Sequence, residues 1–322
     1  MEEKRTVLQA EHIKKYFPIK KLGQPTEYIK AVDNVSMQIY RGETYGLVGE
    51  SGCGKSTFGR TVLKLLQPTE GKIFYDGEDV TNLDEKAFRP HRRNAQMIFQ
   101  DPYTSLNPKK YVGEILNEVL QIHGIKSKKV RMECTLEILY KVGLRAEHYY
   151  RYPHEFSGGQ RQRIGLARAL ILNPEFIVCD EPVSALDVSI QSQIINLLME
   201  QQHNQQLSYL FIAHDMSVVK YISNRVGVMY LGHLVEEAET RELFSNPSHP
   251  YTKALLSAVP SIHTESKKER IVLEGEIPTP LNAPKGCVFC TRCKYAKPEC
   301  YEVAPAQKEI AKGHTLSCHL YH

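Results

Sequence analysis

Short apolar runs alternate with stretches of helical spacing along the first three quarters of the chain. Such runs predict strands, because a strand covered on both faces is apolar at successive positions. They lie at residues 43–48, 71–77, 95–99, 176–179, 208–213 and 226–231. Helical patterns occupy 57–66 and dominate 110–172, where no strand is predicted. The alternation predicts an α/β fold with a largely parallel sheet and a helical insertion.

The pattern changes near residue 247, where prolines become frequent. They stand at positions 247, 250, 260, 278, 280 and 284. Proline interrupts helices and strands, so this texture predicts a domain boundary followed by a loop-rich module. We place the domains at 1–250 and 251–322.

The composition narrows the class of protein. The chain has 322 residues, of which 42% are hydrophobic and 24% are charged, enough for a sizeable core. A formal net charge of +4 is too small to indicate nucleic acid. No apolar run is long enough to span a bilayer, and residues 1–5 do not begin a signal peptide. A soluble, cytoplasmic chain is therefore expected.

A complete phosphate-loop pattern lies between the first predicted strand and the helical pattern after it. Glycines let backbone N–H groups surround a phosphate, and the following helix start adds a positive dipole end. The lysine should reach the β- and γ-phosphates, and the serine after it should ligate Mg²⁺. The alternative is an ordinary glycine-rich turn. The residues are Gly49, Glu50, Ser51, Gly52, Cys53, Gly54, Lys55, Ser56 and Thr57.

Two acidic residues end the apolar run at 176–179. Asp180 would hold Mg²⁺, and Glu181 would act as general base toward the attacking water. A strand that merely ends in solvated acids is the alternative. The upstream phosphate loop favours the catalytic interpretation.

A second glycine pair, Ser157-Gly158-Gly159, precedes an amphipathic helix pattern from Gln160 to Leu172. Backbone N–H groups at a helix start and a serine hydroxyl together form an anion site. An ordinary helix N-cap would have the same residues, so the pair alone leaves both readings open.

The order of these motifs carries a family resemblance. Between and after them stand Gln100, Ser184-Ala185-Leu186-Asp187 and Ile212-Ala213-His214-Asp215. In this order the chain resembles the nucleotide-binding subunit of an ABC transporter over nearly its whole length. The resemblance implies a P-loop ATPase with a RecA-like core, an antiparallel β-subdomain and a helical subdomain at about 101–172.

The resemblance also implies individual roles. Gln100 would contact Mg²⁺ and the attacking water, and His214 would sense the γ-phosphate. Asp187 would lie in the loop that crosses a dimer interface. The signature Ser157, Gly158, Gly159 and Gln160 would bind the ATP held by a partner subunit. Tyr16 would stack on adenine, with Phe17 and Tyr28 as competing candidates.

Three further segments resemble the oligopeptide and dipeptide permease branch, and its second ATPase subunit in particular. They are 100–108, 249–256 and 275–281 followed by Gly286-Cys287. This implies that the chain lies at the cytoplasmic face of the plasma membrane and forms a heterodimer with a second ABC ATPase subunit. The further partners implied are two permease subunits and an extracellular or periplasmic binding protein. Nickel and metallophore importers share these features. A soluble ABC-type ATPase acting on nucleic acid is the alternative of another class.

Five of the eight cysteines crowd into the last 36 residues. In a reducing cytosol such a cluster favours a metal centre over disulfides. The family resemblance implies a [4Fe–4S] cluster on Cys287, Cys293, Cys300 and Cys318. Four thiolates also suit Zn²⁺, and Cys290 is a spare thiol or a substitute ligand. Reduced surface thiols without a metal are the remaining alternative.

Overall fold

Strands and helices alternate through most of the computed structural model, which describes residues 5–20, 25–101, 105–184, 186–259, 270–276 and 278–321. The strands are β1 (Thr6–Ile19), β2 (Glu27–Tyr40), β3 (Thr44–Val48), β4 (Glu70–Tyr75), β5 (Glu78–Asp79), β6 (Ala95–Ile98), β7 (Phe176–Asp180), β8 (Ser208–Ala213), β9 (Arg225–Tyr230), β10 (His233–Glu239), β11 (Lys308–Ala311) and β12 (His314–Leu316).

The α-helices follow the same order along the chain. They are α1 (Lys55–Val62), α2 (Glu85–Asn94), α3 (Val112–Ile122), α4 (Lys128–Lys141), α5 (Gly158–Leu170), α6 (Val188–Gln205), α7 (Met216–Ile222), α8 (Thr240–Ser245), α9 (Pro250–Ser257) and α10 (Pro298–Glu302). Short 3-10 turns lie at Ala146–Tyr150, Pro153–Glu155, Cys290–Arg292 and His319–Tyr321.

The chain forms two compact units. Unit 1 holds Met1–Val7, Tyr40–Glu43 and Asn82–Leu210. Unit 2 holds Leu8–Ile39, Thr44–Thr81 and Phe211–His322.

Unit 2 contains an antiparallel sheet with the strand order β2-β1-β4-β5. In β2, Val35, Met37 and Ile39 are buried while Gln38 is exposed, the alternation of a sheet with one covered face. A bulge interrupts the pairing of β1 with β4 after Glu11. Opposite the bulge, a Cβ on Gly71 would lie 2.6 Å from two backbone carbonyl oxygens, so only glycine fits there.

Unit 2 also contains β11, β12, β10, β9 and β3, side by side in that order. The buried β3 pairs in parallel with β9, from Tyr45 opposite Arg225 to Val48 opposite Val228. Antiparallel pairing then joins β9 to β10 and β10 to β12. The C-terminal residues thereby extend a sheet that begins at residue 44.

Unit 1 contains the parallel pair β6 and β7, in which Ala95 lies opposite Phe176. Its described residues between 112 and 170 form helices and turns without a strand, as the hydrophobic pattern predicts. Gly113 lets α3 approach the Tyr149 ring, since a Cβ there would lie 2.4 Å from ring atoms. Asn117 of α3 donates to the Tyr149 hydroxyl at 2.5 Å.

The predicted α/β class is confirmed, and each of the six predicted strand positions carries a strand. The first helix begins at Lys55 rather than at 57 and ends at Val62 rather than at 66. The long strands β1 and β2 are absent from the prediction. The predicted boundary at 250 and the insertion at 101–172 remain predictions.

The titration of the buried His249 side chain should make the stability of unit 2 depend on pH. It is the N-cap of α9, and its Nδ1 accepts a hydrogen bond from the Tyr251 N–H at 3.1 Å. Burial lowers the pKa of His249 from 6.5 to about 3, and the charge of Lys253 adds to the effect. The folded state therefore favours the neutral ring. The resulting stabilisation is present above the unfolded pKa and is lost as the pH falls toward the folded one.

Replacing His249 with Asn removes this titration and keeps a side chain that can cap the helix. We expect the wild-type chain to lose about 2 kcal/mol more unfolding free energy than the variant between pH 7 and pH 5. Urea unfolding at both pH values measures the difference. Equal losses in the two proteins would contradict the prediction.

Candidate functional site

The phosphate loop joins β3 to α1 within unit 2. Gly49 and Gly54 have φ angles of 153° and 106°. A Cβ on Gly49 would lie 2.1 Å from the Met229 carbonyl oxygen, and one on Gly54 would lie 2.0 Å from that of Ala31. Glycine is therefore required at both positions, and neighbouring backbone fixes the shape of the loop.

Lys55 lies inside the loop. Its buried Nζ donates to the carbonyl oxygens of Gly49 at 2.7 Å and Glu50 at 2.9 Å, and lies 3.6 Å from the Cys53 sulfur. Ser56 and Thr57 follow in the first turn of α1, beside backbone N–H groups at its positive end. A loop of this shape, with a buried ammonium and hydroxyls at the helix start, suits phosphates and a hydrated cation.

Tyr16 belongs to a charged cluster in unit 2. Its hydroxyl donates to Asp33 Oδ1 at 2.6 Å, while Lys30 Nζ lies 3.3 Å from Oδ2. Burial and the hydrogen bond to Asp33 raise the pKa of Tyr16. Burial alone would raise the pKa of Asp33, but the Tyr16 hydrogen bond and the charges of His233 and Lys30 lower it. The phenol is thus fixed at its hydroxyl end, whereas the competing Tyr28 is exposed.

His214 follows β8 directly and is exposed. The next residue, Asp215, is the N-cap of α7 and accepts from the Ser217 N–H at 2.7 Å. The side chain of His214 therefore lies at the carboxyl end of a buried strand, on a segment whose backbone is held by a helix cap.

In unit 1 the structure brings Gln100 and Glu181 together, although 81 positions separate them. Gln100 Nε2 donates to Glu181 Oε2 at 2.9 Å. Glu181 has a φ of 47°, a left-handed conformation that is costly for a residue with a side chain. Its carbonyl oxygen accepts from the Ser184 hydroxyl at 3.1 Å, which holds this turn. Asp180, one residue earlier, is fully buried.

Ser157 and Gln160 form a reciprocal cap at the start of α5. The Ser157 hydroxyl accepts from the Gln160 N–H at 3.3 Å, and Gln160 Oε1 accepts from the Ser157 N–H at 3.0 Å. Gly159 lies against α6, where a Cβ would be 2.6 Å from the Ile190 side chain. Asp187 is the N-cap of the same helix, α6. Because Gly159 packs against α6, the glycine motif and the Asp187 segment lie close together in unit 1.

The five C-terminal thiols are neighbours in unit 2. Burial raises the pKa of Cys287 to about 12, and Coulombic repulsion from Cys318, Cys300 and Cys290 adds to it. Burial raises the pKa of Cys293 as well, and repulsion from Cys300 adds to it. Yet among the described residues, which include all five cysteines, no three or more His, Cys, Asp or Glu side chains are placed to hold a metal ion. The structure does not support the predicted quartet.

Sequence reasoning missed three residues around these motifs. Asp33 anchors Tyr16, Arg292 pairs with Glu50 of the phosphate loop, and the Tyr251 hydroxyl accepts from the Glu50 N–H at 2.8 Å. Asp33 and Arg292 carry no motif, and the segment 249–256 that contains Tyr251 indicates a family branch without revealing its contact with Glu50. Residues 102–104, 185, 260 and 277, which belong to predicted motifs or proline positions, lie outside the described part of the chain.

Comparison with known proteins identifies the family. The family described as "ABC transporter" matches residues 32–184, and the one described as "Oligopeptide/dipeptide transporter, C-terminal region" matches 235–300. The oligopeptide transport ATP-binding protein AppF of Bacillus subtilis is 55% identical over 98% of this chain and 98% of its own length. The chain belongs to the ABC transporter family.

Other relatives agree with this assignment. The dipeptide transport ATP-binding protein DppF of Escherichia coli is 49% identical over 97% of this chain and 93% of its own length. Among solved structures, a dimeric post-hydrolysis state of the ATP-binding cassette MJ0796 with ADP and Pi matches with a TM-score of 0.65. It is 29% identical and covers 73% of this chain and 99% of that one.

The family resemblance of the sequence is therefore confirmed, and so is the P-loop ATPase fold. This ABC chain is an ATP-hydrolysing subunit that uses ATP and Mg²⁺. Among the described residues, no helix combines the length and apolar character that crossing a bilayer requires.

Proposed function

We propose that this chain drives an ABC importer of oligopeptides or dipeptides, from the cytoplasmic face of the plasma membrane. The match of residues 235–300 to the oligopeptide/dipeptide C-terminal region carries the proposal. The names of the AppF and DppF relatives support it. Two permease subunits would form the path, and an extracellular or periplasmic binding protein would deliver the peptide.

In this chain, the loop amides of Ser51, Gly52, Cys53 and Gly54 would receive the phosphates, with Thr57 at the helix start. Lys55 would turn from the carbonyl oxygens of Gly49 and Glu50 toward the β- and γ-phosphates. Ser56, Gln100 and Asp180 would hold Mg²⁺, which supplies charge neutralisation when bound. Tyr16 would stack on adenine.

The paired Gln100 and Glu181 suit water activation. Glu181 would accept the proton of the attacking water, and the amide of Gln100 would orient carboxylate and water. His214 would contact the γ-phosphate. These side chains would position the attacking water and the γ-phosphate and polarise the water, which is what phosphoryl transfer requires of a protein.

The signature residues would complete the ATP site of another subunit. Ser157 is exposed at the N-terminus of α5, a helix of 13 residues whose dipole places partial positive charge at this end. With Gly158, Gly159, Gln160 and Asp187 it would face the γ-phosphate held by a second ABC ATPase subunit. We infer a heterodimer, because the resemblance is to the second of two different ATPase subunits.

Co-purification of the chain with its permease, ATPase and binding-protein partners tests this function. In proteoliposomes, the binding protein loaded with peptide should stimulate ATP hydrolysis. Stimulation by nickel or metallophore complexes instead would transfer the chain to that importer class. Failure to associate with any permease, or association with nucleic acid, would refute the proposal.

We further infer that the thiols of Cys287, Cys293, Cys300 and Cys318 bind a [4Fe–4S] cluster. The family resemblance and the proximity of these thiols motivate this inference; Cys287 and Cys318 are buried, Cys293 and Cys300 are half-buried, and Cys290 is a fifth thiol beside them. Because the described side chains do not form a metal-binding group, ligation would require them to turn toward a common centre. Anaerobic purification with visible absorption and metal analysis tests this. Colourless protein loaded with zinc would support the zinc alternative and refute the cluster.

A further inference from the structure

The C-terminal segment reaches the phosphate loop through one ion pair. Arg292 Nη1 lies 2.8 Å from Glu50 Oε2, and Nη2 lies 3.2 Å from Oε1. Both nitrogens of the guanidinium fork therefore meet both carboxylate oxygens. The Arg292 side chain is only 7% exposed and that of Glu50 25%, so solvent screens the pair less than a surface pair.

An aromatic wall fixes the direction of Arg292. The guanidinium lies 6.0 Å from the centre of the Tyr230 ring, and Nη1 lies 3.5 Å from the Tyr230 hydroxyl. Phe289 packs edge-on against Tyr230 and tilted against Tyr251. The arginine is thus held before any nucleotide arrives, which lowers the entropy cost of its contact with the loop.

Four contacts hold Glu50. Its N–H donates to the Tyr251 hydroxyl at 2.8 Å, and its carboxylate pairs with Arg292. Its carbonyl oxygen accepts from Lys55 at 2.9 Å and from the Cys53 N–H at 3.3 Å. When Lys55 turns to the phosphates, its contact is lost, and Arg292 and Tyr251 remain as the contacts that join Glu50 to residues outside the loop.

We propose that Arg292 is a positioning residue for ATP binding, which neutralises Glu50 beside the phosphates and keeps the phosphate loop open. The proposal rests on the phosphate-binding role proposed for this loop. Without Arg292, the unpaired Glu50 carboxylate would repel the polyphosphate. At a separation of about 10 Å in a partly screened site, such a repulsion weakens binding by about tenfold.

A purely structural role for Arg292 makes a different prediction. If the pair only fastened the C-terminal segment, its loss would lower stability, and removing the charge of Glu50 would not restore ATP affinity. If Arg292 acts by neutralising Glu50, the double variant should recover the affinity that the single variant loses. A double-mutant cycle separates the two roles.

The experiment measures binding of a non-hydrolysable ATP analogue with Mg²⁺ to the full chain. We expect Arg292→Ala to weaken binding by about tenfold and more at low salt, and Arg292→Ala with Glu50→Gln to bind within about threefold of wild type. Arg292→Lys should fall between, since a point charge replaces the fork. Lys294→Ala removes an exposed charge of the same segment and should bind as wild type.

Unchanged affinity in Arg292→Ala would overturn the proposal, and so would an equal loss in the double variant. If Arg292→Ala does not fold, Arg292→Gln provides the same cycle. Lys55→Ala tests the proposed phosphate-binding role of the loop separately from the proposed role of Arg292. If Lys55→Ala binds the analogue as wild type, the proposed role of the loop itself fails. If only the Arg292 variants bind normally, the loop role stands and this inference fails.

Discussion

Replacing Glu181 with Gln is expected to lower ATP hydrolysis by about 10²–10⁴-fold while ATP binding persists. The amide has nearly the same shape and can still accept the hydrogen bond that Gln100 donates at 2.9 Å. It has no basicity at neutral pH, so it cannot take the proton of the attacking water. Single-turnover hydrolysis and nucleotide binding in the assembled complex measure the two effects separately. The variant should also stay associated with its partner subunit in ATP.

Glu137→Gln provides the matched control for this substitution. Glu137 is an exposed carboxylate of α4 that pairs with Lys141, so its loss changes the charge equally without touching the motifs. Its hydrolysis should equal that of the wild type. If Glu181→Gln keeps a hydrolysis rate near that of the control, another group is the base. If it binds ATP but never associates with a similar subunit, the shared-site mechanism is wrong.

Replacing Ser157 with Arg is expected to lower hydrolysis by the assembled complex by about 10²-fold, without weakening ATP binding by this chain alone. Ser157 is exposed at the start of α5, where a long cationic side chain would occupy the space proposed for the partner's γ-phosphate. The loss should appear at the ATP site completed by this signature. Measuring the ATPase activity of the complex and the nucleotide binding of the isolated chain separates a loss of hydrolysis from a loss of ATP binding.

The substitution also removes a helix cap, which costs about 1 kcal/mol of stability by itself. Ser127→Arg controls for the loss of the serine cap, because Ser127 is the N-cap of α4 and its hydroxyl accepts from the Val130 N–H at 3.4 Å, without the reciprocal side-chain bond that Gln160 adds at Ser157. The control should melt as early as Ser157→Arg yet hydrolyse ATP normally. Equal activity losses would show that the effect comes from the cap, and the signature role would fall.

The predicted strands were found because buried strands are continuous apolar runs between turns. By contrast, β1 and β2 escaped prediction, since each has one polar face and β1 contains a bulge with His12 at a φ of 50°. Their alternation is visible only once the covered face is known. The left-handed conformation of Glu181 was not predicted either, because an apolar run does not indicate the backbone conformation of the residue that follows it.

The candidate residues divide in the same way. The phosphate loop and Ser157 cap are local motifs, whose geometry follows from glycine freedom and helix-end chemistry. The contacts of Asp33 with Tyr16, and of Arg292 with Glu50, join residues that are 17 and 242 positions apart. The cysteine spacing predicted a cluster, but spacing does not fix the directions of side chains, and the described thiols form no metal-binding group.

The sequence by itself determined the family, the α/β class, and the order of loop, signature and acidic strand. These depend on short-range chemistry, which neighbouring residues specify among themselves. Only the tertiary structure decided that Gln100 meets Glu181, and that the C-terminal segment holds the phosphate loop through Arg292 and Tyr251. The reason is physical: hydrogen bonds and ion pairs act over a few ångströms, and folding alone brings distant positions within that range.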